Sequence, residues 1–181
     1  MLDRIYPWGR PVRTQTAARV TAELAREYWQ MEAYFQLRRE IFCAEQGLFA
    51  AADRDPADEH ATAIVAQTEI AGMPGSVVGV VRIYEADRGE WFGGRLGVAQ
   101  AYRRVGAVGS ALISQAVSTA HAWGCQRFLA TVQEPNVRYF EHHHFRRLEP
   151  IELLGRPHFL MQADLEHFPA RLSREWQGRA S

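Results

Sequence analysis

The sequence predicts an α/β protein of the α+β type, with a central mixed, mostly antiparallel twisted sheet of six to seven strands flanked by helices. Three observations predict this fold: segments in which apolar residues alternate with polar ones, segments in which they recur every three or four residues, and the order of the two kinds. The order is strand, helix, three strands, helix, strand, helix and two strands. The strand, helix and strand between residues 90 and 133 should contain the one parallel pair, joined by a right-handed crossover.

Each element is assigned from its apolar pattern and its flanking residues. Val20, Ala22 and Leu24 alternate with polar residues, as in a half-buried strand, and Gly47 ends the first helical pattern. The acidic segment 49–60 holds a proline and has no period, so we expect a loop or a short helical turn there. The predicted strands are 19–25, 61–68, 76–86, 90–99, 126–133, 148–154 and 157–165, and the predicted helices are 27–47, 104–125 and 135–144.

Composition and charge indicate a single soluble domain. The chain has 181 residues and a formal net charge of zero, so we expect no overall attraction to nucleic acid or to an anionic membrane. No apolar run approaches the roughly 18 residues that span a bilayer, and the N-terminal segment is unlike a secretory signal. Cys43 and Cys125 suggest no disulfide framework. We expect a cytoplasmic protein with a flexible arm at 1–16, a domain at 17–168 and a tail at 169–181.

The segment 95–112, RLGVAQAYRRVGAVGSAL, carries the clearest chemical signal. A predicted strand ends there, and a loop of small residues opens directly into a long helix. Gly106, Ala107 and Gly109 allow a ligand to approach the backbone closely. The first amides of a helix have no partners within it and lie at the positive end of its dipole. The pattern therefore predicts a phosphate-binding site, to which two adjacent arginines add positive charge.

Two familiar phosphate-binding loops fit this segment less well. A Walker A loop requires Gly-Lys-Ser or Gly-Lys-Thr, which the sequence lacks. A dinucleotide-binding loop requires G-x-G-x-x-G directly after a buried strand and an acidic residue about 20 positions later. Here GAVG supplies only part of that pattern, and AQAYRR separates it from the strand. A third interpretation, in which the glycines serve only helix packing, stays open.

The same segment resembles motif A of the GNAT superfamily of N-acetyltransferases, R/Q-x-x-G-x-G/A. Its six positions correspond to Arg104, Val105, Gly106, Ala107, Val108 and Gly109. Ala107 stands where glycine is commoner, which is a mild departure from the pattern. The flanking residues Leu96, Val98 and Tyr102 strengthen the resemblance, because the six positions alone form a weak motif.

The resemblance extends over most of the chain. The predicted order of strands and helices from about 18 to 166 is also the GNAT order. LRREIFCAEQG, at 37–47, resembles the first-helix signature of ElaA-like GNAT proteins and of acyl-homoserine-lactone synthases. The whole run 37–165, which includes GRPHFLMQADL, resembles a bacterial GNAT subfamily often encoded beside nitrilase genes.

The resemblance implies a GNAT fold in which a splayed parallel pair of strands forms a wedge for CoA. It implies that acetyl-CoA is the co-substrate, that no metal is needed, and that the primary amine of a small molecule attacks the thioester directly in a ternary complex. The pantetheine arm would pair with strand 94–99 where it separates from strand 126–133. The implied CoA contacts are Leu96, Gly97, Val98, Arg103, Arg104, Val105, Gly106, Ala107, Val108, Gly109, Ser110, Asn136 and Phe140. GNAT proteins often dimerise, so a homodimer is compatible with the resemblance and the oligomeric state stays open.

No motif determines the catalytic base. Glu134 follows the strand beside the expected splay, Glu45 belongs to the AEQG signature, and Glu90 begins the strand that leads to the CoA site. Each is a candidate to deprotonate the ammonium group of the substrate. The alternative for each is an exposed surface carboxylate without a role in catalysis.

The usual acid of the family is missing. Many GNAT proteins carry FYxxxGF, in which Tyr protonates the CoA thiolate, and an alignment on Phe145 puts Phe140 at the Tyr position. Tyr139 is adjacent to it but on another helical face, so it replaces that Tyr only if the helix is rotated or shifted. The consecutive histidines 142–144 point about 100° apart on a helix and cannot converge on one ion. We expect them to be exposed helix positions, with proton donation by His142 or His143 as the alternative.

Other polar residues have two interpretations each. The acidic loop contains Asp53, Asp55, Asp58 and Glu59. It could attract a cationic amine or simply be solvated. Arg38 and Arg39 could bind a substrate carboxylate, and Cys43 is either an acylated nucleophile or, more in keeping with an apolar helix face, a core residue.

Acetyl transfer to an amine is therefore the predicted function, with two alternatives. One is a transferase that uses another acyl group or acceptor, as the synthase-like signature suggests. The other is a non-catalytic module that binds acyl-CoA or docks a partner, which the missing Tyr favours.

Overall fold

Seven strands form one sheet in the order β1-β2-β3-β4-β5-β7-β6 in the computed structural model of the chain, which describes residues 19–70 and 72–170. The strands are β1 Arg19–Leu24, β2 Thr62–Ile70, β3 Met73–Asp87, β4 Glu90–Val98, β5 Arg127–Gln133, β6 Phe145–Leu153 and β7 Arg156–Ala163. Neighbouring strands are antiparallel except β4 and β5, which are parallel. The predicted fold class and the predicted parallel pair are both confirmed.

Within the described residues, three α-helices and one π-helix flank the sheet. They are α1 Tyr28–Arg38, the π-helix Arg39–Glu45, α2 Ala107–Ala122 and α3 Val137–His142. The predicted helix 104–125 begins later than expected, because a 3₁₀ turn covers Gln100–Val105 and Gly106 adopts a left-handed conformation with φ of 66°. The predicted helix 27–47 changes to π geometry over its last two turns, a change that is frequent at functional sites.

The two faces of the sheet have separate cores. Alternate strand residues such as Ile83 and Phe128 meet Leu112 and Val117 of α2, and all four are buried. On the opposite face Tyr34 and Ile41 pack against Val65 and Val80. Each fully buried side chain of this size stabilises the fold by about 1.5–3 kcal/mol relative to an exposed one. The sheet is therefore clamped between α2 and α1.

A glycine brings α2 unusually close to the sheet. A Cβ atom added at Gly79 of β3 would lie 2.8 Å from side-chain carbons of both Val108 and Leu112. Only glycine therefore permits this approach. The contact fixes the beginning of α2, which holds the predicted phosphate-binding loop.

The predicted domain limits are only partly within the structure. The arm at 1–16 and residues 171–181 of the predicted tail lie outside the described residues. In the described part of the chain, none of the helices is both long enough and apolar enough to cross a membrane.

Candidate active site

The parallel strands separate halfway along β4. Pairing with β5 runs from Glu90 opposite Arg127 to Gly93 opposite Ala130 and then stops. A Cβ atom at Gly93 would lie 2.9 Å from the ring of Phe128, so the absence of a side chain allows the last pair to form. Beyond Gly93 the strands leave a wedge whose walls carry unpaired backbone groups.

A β-bulge lies on β4 at the mouth of this wedge. Gly94 pairs with Arg82 and Gly97 pairs with Val80, so four residues of β4 face three of β3. Arg95, within the bulge, has φ of 54°, which is in the left-handed region that disfavours residues with a side chain. Such a conformation costs about 1–3 kcal/mol and persists only where surrounding contacts hold it.

The contacts that hold the bulge come from the acidic loop. The Arg95 guanidinium donates to the Asp53 carbonyl at 2.8 Å, to the Asp53 carboxylate at 3.1 Å and to the Asp55 carboxylate at 3.0 Å. Asp53 is only 2% exposed. The loop therefore fixes the conformation of β4 where the wedge begins.

The same aspartates bind two further arginines. Arg38 donates to Asp53 at 2.7 Å and to both oxygens of Asp58, at 2.6 and 2.9 Å. Arg82 binds Asp55 through two hydrogen bonds of 2.7 and 2.6 Å and lies 2.8 Å from Asp58. We call Arg38, Arg82, Arg95, Asp53, Asp55 and Asp58 the ionic cluster. It joins α1, β3, β4 and the acidic loop beneath the sheet.

Charge pairing shifts the titration of two of these carboxyl groups. Burial opposes ionisation of Asp58, but hydrogen bonds from Arg38 and Arg82 hold its pKa well below the usual range. A hydrogen bond from Arg82 likewise lowers the pKa of Asp55. Both carboxylates therefore stay ionised throughout the neutral range.

Both interpretations of the acidic loop and that of Arg38 were wrong. Three of the four acidic residues are neutralised by arginines, so the loop is neither simply solvated nor a free cation trap. Arg38 is fully buried and cannot meet a substrate carboxylate, whereas its neighbour Arg39 is exposed. The pairing partners lie 15 to 42 residues apart along the chain, beyond the reach of a local pattern.

The predicted phosphate loop has open amides. Gly106 caps α2, and the first α-helical hydrogen bond runs from the Ser110 amide to the Gly106 carbonyl at 3.2 Å. The amides of Ala107, Val108 and Gly109 precede that bond and have no helical partners. Arg104 is exposed in the 3₁₀ turn directly before the loop. This arrangement can bind a diphosphate at the positive end of α2.

Arg103, next to Arg104, makes structural contacts instead of facing the loop amides. Its guanidinium donates to the Val98 carbonyl at 2.7 Å and to the Glu45 carboxylate at 2.6 Å. The side chain therefore ties the end of β4 to the end of the π-helix. Glu45, a candidate base, is thus held in an ion pair near the end of β4.

The β4 residues of the wedge alternate as expected. Leu96 and Val98 are half-buried against the α2 core, and Gly97 faces the π-helix. A Cβ atom at Gly97 would lie 2.8 Å from the Cδ1 atom of Ile41. Glycine at this position lets the π-helix approach the wedge.

The residues after β5 lie beyond the splay. Glu134 and Asn136 are exposed in the 3₁₀ turn Glu134–Asn136, and Phe140 in α3 packs its ring edge-on against Phe145 with centroids 5.1 Å apart. Glu90 lies at the opposite end of the β4–β5 pairing, where it binds Arg127 at 3.0 Å. Glu90 as a catalytic base was therefore a wrong prediction.

Tyr139 contacts the phosphate loop. Its hydroxyl donates to the Gly106 carbonyl at 3.2 Å and lies 2.5 Å from the position of a Cβ atom on Gly109. Burial raises the pKa of Tyr139, so the hydroxyl stays protonated at neutral pH. Gly109 is thus required for Tyr139 to lie on the start of α2.

Four residues that sequence reasoning did not single out lie beside the wedge on the α1 face. Gln133, at the end of β5, donates to the Gln46 side chain at 3.3 Å, and Arg156 donates to the Gln46 carbonyl at 3.1 Å. His158 pairs with Gln133 across β5 and β7 and is 6% exposed. The AEQG and GRPHFLM segments contain three of the four, but only the sheet register brings them together.

The histidines of the 142–144 run and the two cysteines do not contribute to the wedge. His142 is exposed on the helix, as predicted, whereas His144 lies beyond the helix end, has φ of 61° and stacks on His167 with centroids 3.8 Å apart. Within the described residues no group of three His, Cys, Asp or Glu side chains is arranged for a metal ion. Cys43 is half-buried in the π-helix, and burial raises the pKa of Cys125 to about 11, so that thiol stays protonated.

Comparisons with known proteins agree with this geometry. The model of the acetyltransferase (GNAT) family matches residues 19–145. Escherichia coli ElaA is 23% identical with a TM-score of 0.65, covering 81% of this chain and 99% of its own. An acyl-CoA N-acyltransferase from Pseudomonas aeruginosa is 19% identical with a TM-score of 0.66, covering 82% and 100%. The CoA-dependent acyl-homoserine lactone synthase BjaI is 18% identical with a TM-score of 0.61, covering 80% and 82%. A search of curated proteins found no match.

Proposed function

The chain belongs to the acetyltransferase (GNAT) family, and on that premise we propose that it transfers the acetyl group of acetyl-CoA to the primary amine of a small molecule. The observation that carries the proposal is the wedge between β4 and β5, which opens after Gly93 and leads to the free amides of α2. A wedge with a phosphate site at one end suits a long thioester with a diphosphate.

The chain supplies groups for each part of the CoA molecule. The amides from Gly106 to Gly109 would bind the diphosphate, with Arg104 as the exposed cation beside them. The pantetheine arm would pair with the backbone of β4 from Leu96 to Val98, where β5 no longer does. Asn136, exposed after β5, would contact the arm from the other side.

Acyl transfer needs a polarised carbonyl and a leaving thiolate. A β4 amide at the bulge would donate to the thioester oxygen as negative charge develops there, the role of an oxyanion hole. The bulge is held by the ionic cluster, so the donor is fixed before substrate binds. A CoA thiol of pKa roughly 8–9, like that of a Cys thiol, leaves as the thiolate without an acid, so Phe140 in place of Tyr does not prevent the reaction.

The acyl group and the acceptor are open to a second assignment. The fold is shared with BjaI, described as a CoA-dependent acyl-homoserine lactone synthase, and with an acyl-CoA N-acyltransferase. Transfer of a longer acyl group, or transfer to another acceptor, is the alternative within the family. The resemblance to the subfamily encoded beside nitrilase genes stays a prediction.

The test combines binding and turnover. We expect calorimetry to show that the wild-type protein binds acetyl-CoA. The double variant Arg104→Ala, Gly109→Val should bind it about 100-fold more weakly, because it loses a charge-assisted hydrogen bond and its loop is blocked by the valine side chain. Arg88→Ala, which removes an equally exposed charge in the β3–β4 turn, is the control and should leave the affinity unchanged. Unchanged affinity in the double variant would contradict the phosphate site.

Turnover distinguishes the remaining assignments. Release of free CoA is measured with acetyl-CoA and with longer acyl-CoAs against a panel of primary amines. Acetyl-CoA turnover on at least one amine is the expected result. Preference for a longer acyl-CoA would favour the second assignment, and tight binding without turnover on any amine would favour a non-catalytic module.

A further inference from the structure

A buried histidine with one ring nitrogen outside any hydrogen bond among the described residues lies on the α1 face of the sheet, beside the wedge. His158 is in β7, opposite Gln133 of β5 on one side and Ile151 of β6 on the other. It is 6% exposed, whereas its strand neighbour Arg156 is exposed. A buried polar side chain needs a hydrogen-bond partner or, where one of its polar atoms lacks one, a functional explanation.

The hydrogen bond of His158 determines its tautomer. Its Nδ1 atom lies 2.8 Å from the carbonyl oxygen of Arg156. A carbonyl oxygen only accepts, so Nδ1 is the nitrogen that donates and carries a proton. Nε2 is therefore the ring nitrogen of His158 that is left to take up or release a proton.

The sheet register places this imidazole on the face opposite α2. Phe128, Ala130 and Val132 of β5 point into the α2 core, so Thr131 and Gln133 point to the α1 face. His158 is the cross-strand partner of Gln133 and shares its face.

The π-helix borders this face of the wedge. Helix α1 packs against β2 and β3, while Gln46 at the end of the π-helix reaches across to Gln133, the strand partner of His158. An amine bound on this side of the thioester would lie near Gln46, Gln133 and His158.

We propose that His158 is the general base of the transfer reaction, an inference that rests on the proposed function. The amine nitrogen attacks the thioester carbon, the C–N bond forms and the C–S bond breaks, and CoA leaves as the thiolate with the electron pair of that bond. The proton lost by the amine moves to Nε2 of His158 and then to solvent or to the departing thiolate. No oxidant, metal or further reactant is needed.

The carboxylates near the wedge are less suited to this role. Glu45 is engaged with Arg103, Glu90 lies at the wrong end of β4, and Glu134 is exposed to water. A solvated carboxylate is a weak base compared with a neutral imidazole. The charged groups on the elements around His158 are Arg156 on its own strand, Arg146, Arg147, Glu149 and Glu152 on β6, Arg127 on β5, Glu134 after β5 and the Arg103–Glu45 pair.

A matched pair of variants tests the assignment. His158→Asn keeps an amide that can donate to the Arg156 carbonyl but removes the basic nitrogen. His121→Asn is the control, because half-buried His121, in the last turn of α2, makes the same kind of Nδ1 bond, at 2.6 Å to the Phe168 carbonyl. We expect kcat/KM to fall about 10²–10⁴-fold in the first variant and to stay unchanged in the second. The affinity for acetyl-CoA, measured by calorimetry, should stay within about twofold in both, which shows that the wedge is intact.

The pH profile separates a base from a structural residue. A protonated imidazole accepts no proton, so kcat/KM of the wild-type protein should fall at acid pH along a limb that His158→Asn lacks. A His158→Asn enzyme that keeps both the wild-type rate and this limb would overturn the proposal. So would ¹⁵N NMR of histidine-labelled protein, which needs no acceptor, if it showed the proton of His158 on Nε2.

Failure of the proposed function gives a different result. In that case the wild-type protein itself transfers no acyl group to any amine and does not hydrolyse acetyl-CoA. The assignment of His158 as the base is then contradicted together with the proposed function. Where wild-type transfer is measured, equal rates in wild type and His158→Asn overturn the base alone.

Discussion

The two faces of the sheet support the wedge by different means. On the α2 face the contacts are apolar, and the candidate binding groups are backbone amides at the start of α2, which glycines such as Gly79 and Gly109 help to place. On the α1 face a smaller apolar core is joined by the ionic cluster, which holds the bulge at Arg95. The α2 face therefore depends on shape, and the α1 face depends on charge. Substitutions and pH should affect the two sides differently.

The largest expected effect is on the ionic cluster. Arg38→Ala leaves Asp53 and Asp58 buried without their partner, which should lower the free energy of unfolding by about 3–5 kcal/mol. Arg39→Ala removes the same kind of side chain at the next, exposed position, and should change the free energy of unfolding by about 0.5 kcal/mol or less. Urea unfolding of both variants measures the difference, and equal values would contradict a structural role for the cluster.

The second largest effect is expected from low pH, which should reduce the stability that the ionic cluster gives to the α1 face. The pKa values of Asp55 and Asp58 are lowered in the folded state, so the stability they contribute is complete above their unfolded pKa of about 4 and is lost as pH falls below it. We expect the urea midpoint of the wild-type protein to fall between pH 5 and pH 3 more steeply than that of Arg38→Ala. Parallel curves for the two proteins would show that the loss arises elsewhere.

On the α2 face the expected effect is steric. A Cβ atom in Gly109→Ala would lie 2.5 Å from the Tyr139 hydroxyl, and overpacking of this kind costs about 1–3 kcal/mol. We expect weaker CoA binding in Gly109→Ala and recovery in the double variant with Tyr139→Phe, because the oxygen that meets the Cβ atom is gone. Calorimetric titration of CoA into the wild type, the two single variants and the double variant measures the coupling between the two residues. If the changes in binding free energy of the single variants simply add in the double variant, the contact is contradicted.

Tyr139→Phe alone also tests the catalytic role predicted for Tyr139. Its hydroxyl bonds to the Gly106 carbonyl, at the phosphate end of the site. We expect kcat to stay within about threefold of wild type, because loss of one neutral hydrogen bond is worth only about 0.5–1.5 kcal/mol. A large fall in kcat at constant KM would make Tyr139 the acid after all.

The smallest expected effect is at the Arg103–Glu45 pair. Both side chains are more than a third exposed, so Glu45→Gln should change the free energy of unfolding by less than about 1 kcal/mol. Its kcat/KM should also stay within a few-fold of wild type. A fall of about 10²-fold would make Glu45 the base in place of His158.

Much of the fold could be predicted because its signals are local. The alternation of Val20, Ala22 and Leu24 and the pattern of 27–47 each lie within one element, and the order of elements follows from them. The loop proposed to bind phosphate could be located for the same reason, since Gly106 and Gly109 stand at the start of one helix.

The acceptor side could not be predicted in the same way. Asp53 pairs with arginines 15 and 42 residues away, and His158 meets Gln133 only through the register of β5 and β7. The bulge at Arg95 is likewise a property of the pairing between two strands. Such contacts have no pattern of their own in one sequence.

The structure of the complex with CoA tests the central claim most directly. We predict that the diphosphate binds the amides from Gly106 to Gly109 and that the sulfur lies in the wedge beyond Gly93, with Nε2 of His158 facing the acetyl position from the α1 side. A diphosphate bound elsewhere, or a sulfur beside the Tyr139 hydroxyl with His158 turned away, would contradict the account.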